Sequence, residues 1–144
     1  MEHCQICERE IKSKLGLIAH HGYQRPEEGW QTDSCIGARE YSYEKSRDVI
    51  PDAIQFLQVR IKNIEDKIRE IKEKNLPIPS PFNSVFKSYK EIESINPQYE
   101  LRRGEYIERL GSQIRRIKIE IERLQKRYDS WKIQTEIKQL EVSQ

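Results

Sequence analysis

Apolar residues spaced alternately four and three apart constrain this chain more than any other feature of its sequence. From Ile50 they run Ile54, Leu57, Ile61, Ile64, Ile68 and Ile71. A repeat of seven held over this length is one stripe along an α-helix, because a strand would need alternation at every second residue. A second stripe runs Ile107, Leu110, Ile114, Ile117, Ile121, Leu124, Tyr128 and Trp131. Docked antiparallel, the stripes set Ile71 against Leu110, Leu57 against Leu124 and Ile54 against Tyr128. Each seam side chain so buried contributes roughly 1.5 to 3 kcal/mol, which outweighs any surface ion pair between the helices.

The boundaries of these helices are also written in the sequence. Asp48 is placed to cap the first, Pro51 falls in its first turn where a missing N–H costs nothing, and Asn75 followed by Leu76-Pro77 ends it. Asn96-Pro97 repeats the start signal for the second. Between them Ser80-Pro81 resembles another cap, and Phe82, Val85, Phe86, Tyr89 and Ile92 would share one face of a short helix. Gly104 and Gly111 sit seven apart near the front of the long helix, where Phe86 or Tyr89 is the expected close neighbour.

Composition limits what else the chain holds. Of 144 residues 35% are apolar and 35% charged, against an apolar share of about 45 to 50% in an average globular chain. Twenty residues are Ile and three are Ala, which favours narrow seams over a broad enzyme-type interior. No apolar run approaches the ~20 residues that span a bilayer, and the start MEHCQICERE lacks a secretory apolar segment. A soluble, cytoplasmic protein with no membrane partner is expected.

Three cysteines cannot all pair within one chain, and in a reducing compartment they point to metal. Cys4 and Cys7 form a C-x-x-C turn, which lets two thiolates from one tight loop hold one ion. Cys35 lies downstream and His20-His21 fall between. Three sulfurs and one imidazole complete a tetrahedron, for which zinc is the usual metal. The expected ligands are Cys4, Cys7, His20 and Cys35. His21 is the alternative to His20, which strand alternation favours, and His3 is a weaker candidate. With four protein ligands no position is left for water, so the zinc is structural. The first 45 residues offer too few apolar side chains to fold unaided, and a metal supplies that folding free energy directly.

The expected fold is therefore mainly α. A small Cys3His zinc-binding head, a short β-hairpin with loops, occupies residues 1–47. An antiparallel helical coiled-coil hairpin with a short intervening helix occupies 48–144, with helices over 49–75, 81–95 and 97–141. Isoleucine at both seam positions favours assemblies beyond a simple pair, so a homodimer through the hairpin is one expected partner arrangement, with Phe56, Val59, Ile119 and Ile133 left outside the seam to supply the contact.

The stretch from Cys4 to Asp48, with its CxIC start, IAHHGYxRP centre and GWQTxSCxGAR close, resembles the amino-terminal segment of small proteins of unassigned role encoded by phages and mobile elements. The resemblance covers about the first third of the chain. It implies a metal-binding head and a phage-type inhibitor or adaptor acting on host machinery, an anti-defence role included, in the host cytoplasm. Where such proteins carry Gly after the second cysteine, this chain has Glu8.

The functional expectation is a non-enzymatic, zinc-stabilised module that binds a protein. The alternative is a nucleic-acid-binding accessory. Arg102, Arg109, Arg116 and Arg123 recur every seven residues along one face of the long helix, and Tyr23, Arg25, Trp30 and Arg39 of the head combine aromatic and cationic groups suited to stacking or docking. Net charge is only +2, and residues 98–144 carry 11 basic against 8 acidic residues, so the electrostatic signal for nucleic acid is weak. An HNH-like nuclease is the least favoured alternative. All three histidines lie in the first 21 residues and the next asparagine is Asn63, which leaves no ligand-bearing helix beside the histidines.

Overall fold

A computed structural model describes the backbone of residues 1–24, 31–79 and 91–142, with side chains over 1–24, 33–79 and 91–131. In chain order the elements are β1 (Glu2–His3), β2 (Glu10–Ile11), β3 (Ser13–Lys14), β4 (Leu17–Ile18), β5 (Gly22–Gln24), β6 (Gln31–Ser34), α1 (Ile50–Lys74), β7 (Ile78–Pro79), β8 (Glu91–Ile92) and α2 (Tyr99–Val142). The strands pair antiparallel in four two-stranded ladders, β1 with β2, β3 with β4, β5 with β6 and β7 with β8. The chain divides into two compact units, one of residues 1–57 with 120–144 and the other of residues 58–119.

The expected architecture is corrected at two places. Among the described residues no short helix lies between α1 and α2, where one was expected over 81–95: Glu91–Ile92 is a strand paired with Ile78–Pro79, while residues 80–90, with Phe82, Val85, Phe86 and Tyr89, lie outside the described residues. Pro77 and Pro79 account for the Ile78–Pro79 strand, since a proline pushes the residue before it into extended geometry and here does so twice, at Leu76 and Ile78. Ile78 is then fully buried and Ile92 packs beside it. The head, in turn, contains three ladders where one short hairpin was expected.

In the second unit, Ile71, Ile78, Tyr99 and Leu110 form a buried apolar cluster, with Ile64, Ile68, Leu76, Ile92, Tyr106 and Ile107 packed against it. Ile71 and Leu110 thus share one core. Asn75 ends α1 in the left-handed conformation, with φ at 49°, and its N–H closes on Ile71 O. The Tyr99 hydroxyl donates to Leu76 O at 2.7 Å. At the start of α2 the Asn96 side chain accepts from Gln98 N–H at 2.9 Å, as a cap should. The space beside Gly104 is open among the described residues, and Gly111 meets only Arg115 of its own helix. Among the described residues neither glycine has a close neighbour from another element, and the expected neighbours Phe86 and Tyr89 lie outside them.

In the first unit the core joins Cys4, Ile6, Cys7 and Cys35 to Val49, Ile50, Ala53 and Leu124, with Tyr23, Tyr43, Ile54, Leu57 and Tyr128 against it. Leu57 and Leu124 belong to this one core, as do Ile54 and Tyr128. The expected cap of α1 is differently made. Asp48 accepts from Gln5 and Ser46 side chains, while the Val49 N–H donates to Gln5 Oε1 at 3.0 Å. A glutamine from the C-x-x-C turn therefore seats the start of α1.

Candidate metal centre

Four donor side chains converge within the first unit. Cys4, Cys7, His21 and Cys35 place their ligating atoms within 4.8 Å of one another. The three cysteines are buried and none is disulfide-bonded. Cys4 Sγ lies 3.8 Å from Cys35 Sγ, and Cys7 Sγ lies 3.4 Å from His21 Nε2. A tetrahedral ion with metal–sulfur bonds near 2.3 Å and metal–nitrogen bonds near 2.0 Å has edges of about 3.8 Å between sulfurs and about 3.5 Å from sulfur to nitrogen. Both separations fit a common centre.

The backbone builds this cluster from three tight loops. The C-x-x-C turn closes with Cys4 N–H donating to Arg9 O, and the Ile6 N–H points at Cys4 Sγ, 3.4 Å away. The amides of Arg9 and Gly37 support the Cys7 and Cys35 sulfurs in the same way. Cys35 N–H donates to His21 O, which joins the third loop to the imidazole. Gly37 lets the loops close: a Cβ there would lie 2.4 Å from Cys4 Sγ, a separation no side chain tolerates.

His21 fits the set chemically as well as spatially. Its Nδ1 lies 2.9 Å from Ala19 O. A carbonyl can only accept, so Nδ1 carries the proton and the Nε2 lone pair faces the sulfurs, the tautomer a metal-binding imidazole needs. His20 instead turns outward, with Nε2 2.7 Å from Ser34 Oγ. The alternation used to favour His20 does not reach it, because β4 stops at Ile18 and β5 begins at Gly22. His3 faces Glu44 and Glu10.

The three sulfurs oppose one another's ionisation. Hydrogen bonds from Cys35 and then Cys4 hold the Cys7 thiol far below the ordinary range. Cys35 is pushed far above it by Cys4, Cys7 and burial, and at Cys4 the hydrogen bond with Cys35 lowers the thiol while the one with Cys7 and burial together raise it by more. A divalent cation removes that conflict, since it is the charge that makes three adjacent thiolates compatible.

Two arginines of α2 hold the outer side of the C-x-x-C turn. Arg127 donates to Cys4 O at 2.9 Å and to Gln5 O at 2.8 Å, and Arg123 donates to Ile6 O at 2.7 Å. The two also divide the Glu8 carboxylate, Arg123 on one oxygen at 2.8 Å and Arg127 on the other at 3.1 Å. The Arg127 guanidinium lies 3.6 Å from the centre of the Tyr43 ring, whose hydroxyl donates to Arg127 O. Glu8, which follows the second cysteine, adopts the left-handed backbone with φ at 65°. That conformation costs a non-glycine residue about 1 to 2 kcal/mol; the paired arginines are the offsetting gain.

The other candidate residues separate clearly. Tyr23 turns inward, its hydroxyl donating to buried Glu120 at 2.6 Å. Arg123 leaves the expected basic row to bind Glu8, Glu120 and Ile6 O. Arg102 pairs with Glu105 at 3.0 Å. Arg109, Arg116 and Arg39 are exposed, while Arg25 and Trp30 lie outside the described residues. Sequence reasoning missed Gln5, Glu8, Gly37 and the role of Arg127. Only Gly37, two residues past a cysteine, left a local signal.

No helix among the described residues is long and apolar enough to cross a membrane. Comparison with models of known protein families, with curated proteins and with solved structures finds no match.

Proposed function

We propose that Cys4, Cys7, His21 and Cys35 bind one structural zinc ion, and that the protein is a non-enzymatic module whose metal-fixed surface docks on a protein partner. The observation that carries this reading is the closed donor set, with sulfur and nitrogen separations that match tetrahedral edges. Three thiolates and one imidazole select zinc over harder cations. A fourth protein ligand takes the position that a hydrolytic zinc keeps for water, so the chemistry is structural. By analogy alone, the resemblance read in the first third of the sequence suggests an inhibitor or adaptor acting on host machinery as the role of such a module.

A protein partner is favoured over nucleic acid because the heptad row of arginines is broken up. Arg123 and Arg102 are engaged by carboxylates, which leaves Arg109 and Arg116 as the exposed pair of that row.

Elemental analysis of the purified protein tests the assignment. One zinc per chain is expected, lost in Cys7→Ser together with the dispersed amide resonances of residues 1–49. A metal-free protein with that region fully folded contradicts it.

A further inference from the structure

Residues 12–18 form a hairpin whose tip is built against local preference. Lys14 pairs with Leu17, so the two-residue loop is Leu15-Gly16, with φ of 56° and 82°. Two positive φ values are the signature of the type I′ turn, for which Asn-Gly is the favoured pair. This chain places leucine there, in a backbone region that side chains avoid, and leaves it 90% exposed. The leucine is disfavoured both by its backbone and by water.

The tip is nevertheless fixed. Gly16 O accepts from Ser42 N–H at 2.8 Å, Ile18 exchanges bonds with Arg39 and Glu40, and Ala19 N–H donates to Lys12 O. The Lys45 stem lies over Gly16, within 3.2 Å of where a Cβ would stand. Cys35, in the loop that closes on this hairpin, ties it to the metal cluster.

The outward face of the hairpin is apolar and cationic together. Directly paired residues point to one side of a ladder. Lys14 pairs with Leu17, and Leu17 bridges Tyr41, so these three share a face while Ile18 turns into the core. Leu17 is 44% and Tyr41 49% exposed. Lys12 lies two residues before Lys14, on the same side by the period of two. Neither lysine forms an ion pair with a described residue, whereas Glu10 and Glu44 are turned to His3.

From this we infer that the hairpin face of Lys12, Lys14, Leu15, Leu17 and Tyr41 is the docking surface, and that its occupant is an acidic peptide segment of the partner protein carrying apolar side chains. The lysines call for carboxylates, and the two leucines call for aliphatic or aromatic side chains. A nucleic-acid strand fits less well, because bases stack on rings and this face has one. The rigid tip means that little ordering is lost on binding. This inference rests on the proposed module reading.

Amide spectra of the full, zinc-loaded chain provide the test, with three probes: a capped peptide of alternating glutamate and leucine, its lysine–leucine counterpart, and an oligo-dT strand. The acidic peptide is expected to shift residues 12–18 and 39–41, with an affinity that falls as salt rises. Leu15→Asn is the decisive variant, because it supplies the favoured turn pair. It is expected to keep or raise the melting temperature while weakening the peptide by roughly tenfold or more.

A lower melting temperature in Leu15→Asn would assign leucine a structural role and overturn the proposal. So would absent or scattered shifts with the acidic peptide, equal shifts with the lysine peptide, or binding of oligo-dT to the same face. The zinc reading is judged separately, by whether the spectrum of the unliganded chain depends on zinc at all.

Discussion

The two units of this protein are held together by different physics. The second is a cluster of aliphatic side chains around Ile71, Ile78 and Leu110, and each of its ion pairs among the described residues, such as Arg69 with Asp66 and Arg103 with Glu100, keeps an exposed carboxylate. The first buries polar groups instead: Gln5 and Ser42 are fully enclosed, Glu120 nearly so, and Arg127 is 12% exposed. An aliphatic core tolerates slack, because its cost scales with lost contact. A buried polar network does not, because each unmatched group carries its own desolvation cost. The first unit therefore needs a device that fixes geometry, and the C-x-x-C turn, with the ion proposed for its donor cluster, is that device. Gln5, between the two cysteines, seats α1, and the carbonyls of the same turn receive the arginines of α2.

Substitutions in the two units should separate accordingly. Ile71→Ala should cost about 2 to 5 kcal/mol, the usual range for truncating a buried isoleucine, with zinc content unchanged; denaturant melts with metal analysis check both. Arg127→Ala should cost roughly 2 to 3 kcal/mol, because Glu8 and two backbone carbonyls lose a charged donor. That loss should appear as faster amide exchange in residues 4–9 and not in 58–119. Equal loss of protection in both units would contradict the contrast.

Gly37→Ala should weaken zinc by about 10- to 100-fold through the displaced Cys4 sulfur, read by competition with a chromophoric chelator, and leave exchange in 58–119 as it was. Tyr99→Phe removes a single hydroxyl from Leu76 O in the second unit and should cost about 1 kcal/mol in a melt, with no change in zinc affinity.

The smallest effect concerns pH. Hydrogen bonds from Gln5 and then Ser46, against mild burial, hold Asp48 below the usual aspartate value. A depressed carboxyl contributes stability that is complete above its unfolded pKa and is lost as pH falls through the lowered folded value. Asp48→Asn should therefore lower the stability of the zinc-bound protein slightly and evenly from pH 7 to about pH 5, above the range in which Asp48 protonates and thiolate ligands release a metal. Unchanged stability across that window would show that Gln5 does not depend on this partner.

How much of this the sequence disclosed follows the same division. The second unit's core was legible because period is a local property: Ile71 and Leu110 are marked by their spacing alone. The C-x-x-C turn was legible because two ligands three apart imply one ion. The ligand histidine was ambiguous because His20 and His21 are adjacent, and the choice turned on where a two-residue strand stops. Gln5, Glu8 and Arg127 were illegible for a different reason. Their roles are contacts across more than 40 residues of chain, and nothing in Gln5's neighbours announces that its amide will meet Val49. The short helix expected over 81–95 was misread at its end, because the apolar spacing that included Ile92 does not disclose that Ile92 pairs as a strand with Ile78.

Amide hydrogen exchange on the intact chain, with zinc bound and after its removal by a strong chelator, tests the central claim most directly. The account predicts that protection collapses in residues 1–57 and 120–131 while the amides of 58–119 keep most of theirs. Protection that survives chelation in the first segment, or that vanishes evenly along both, would contradict it.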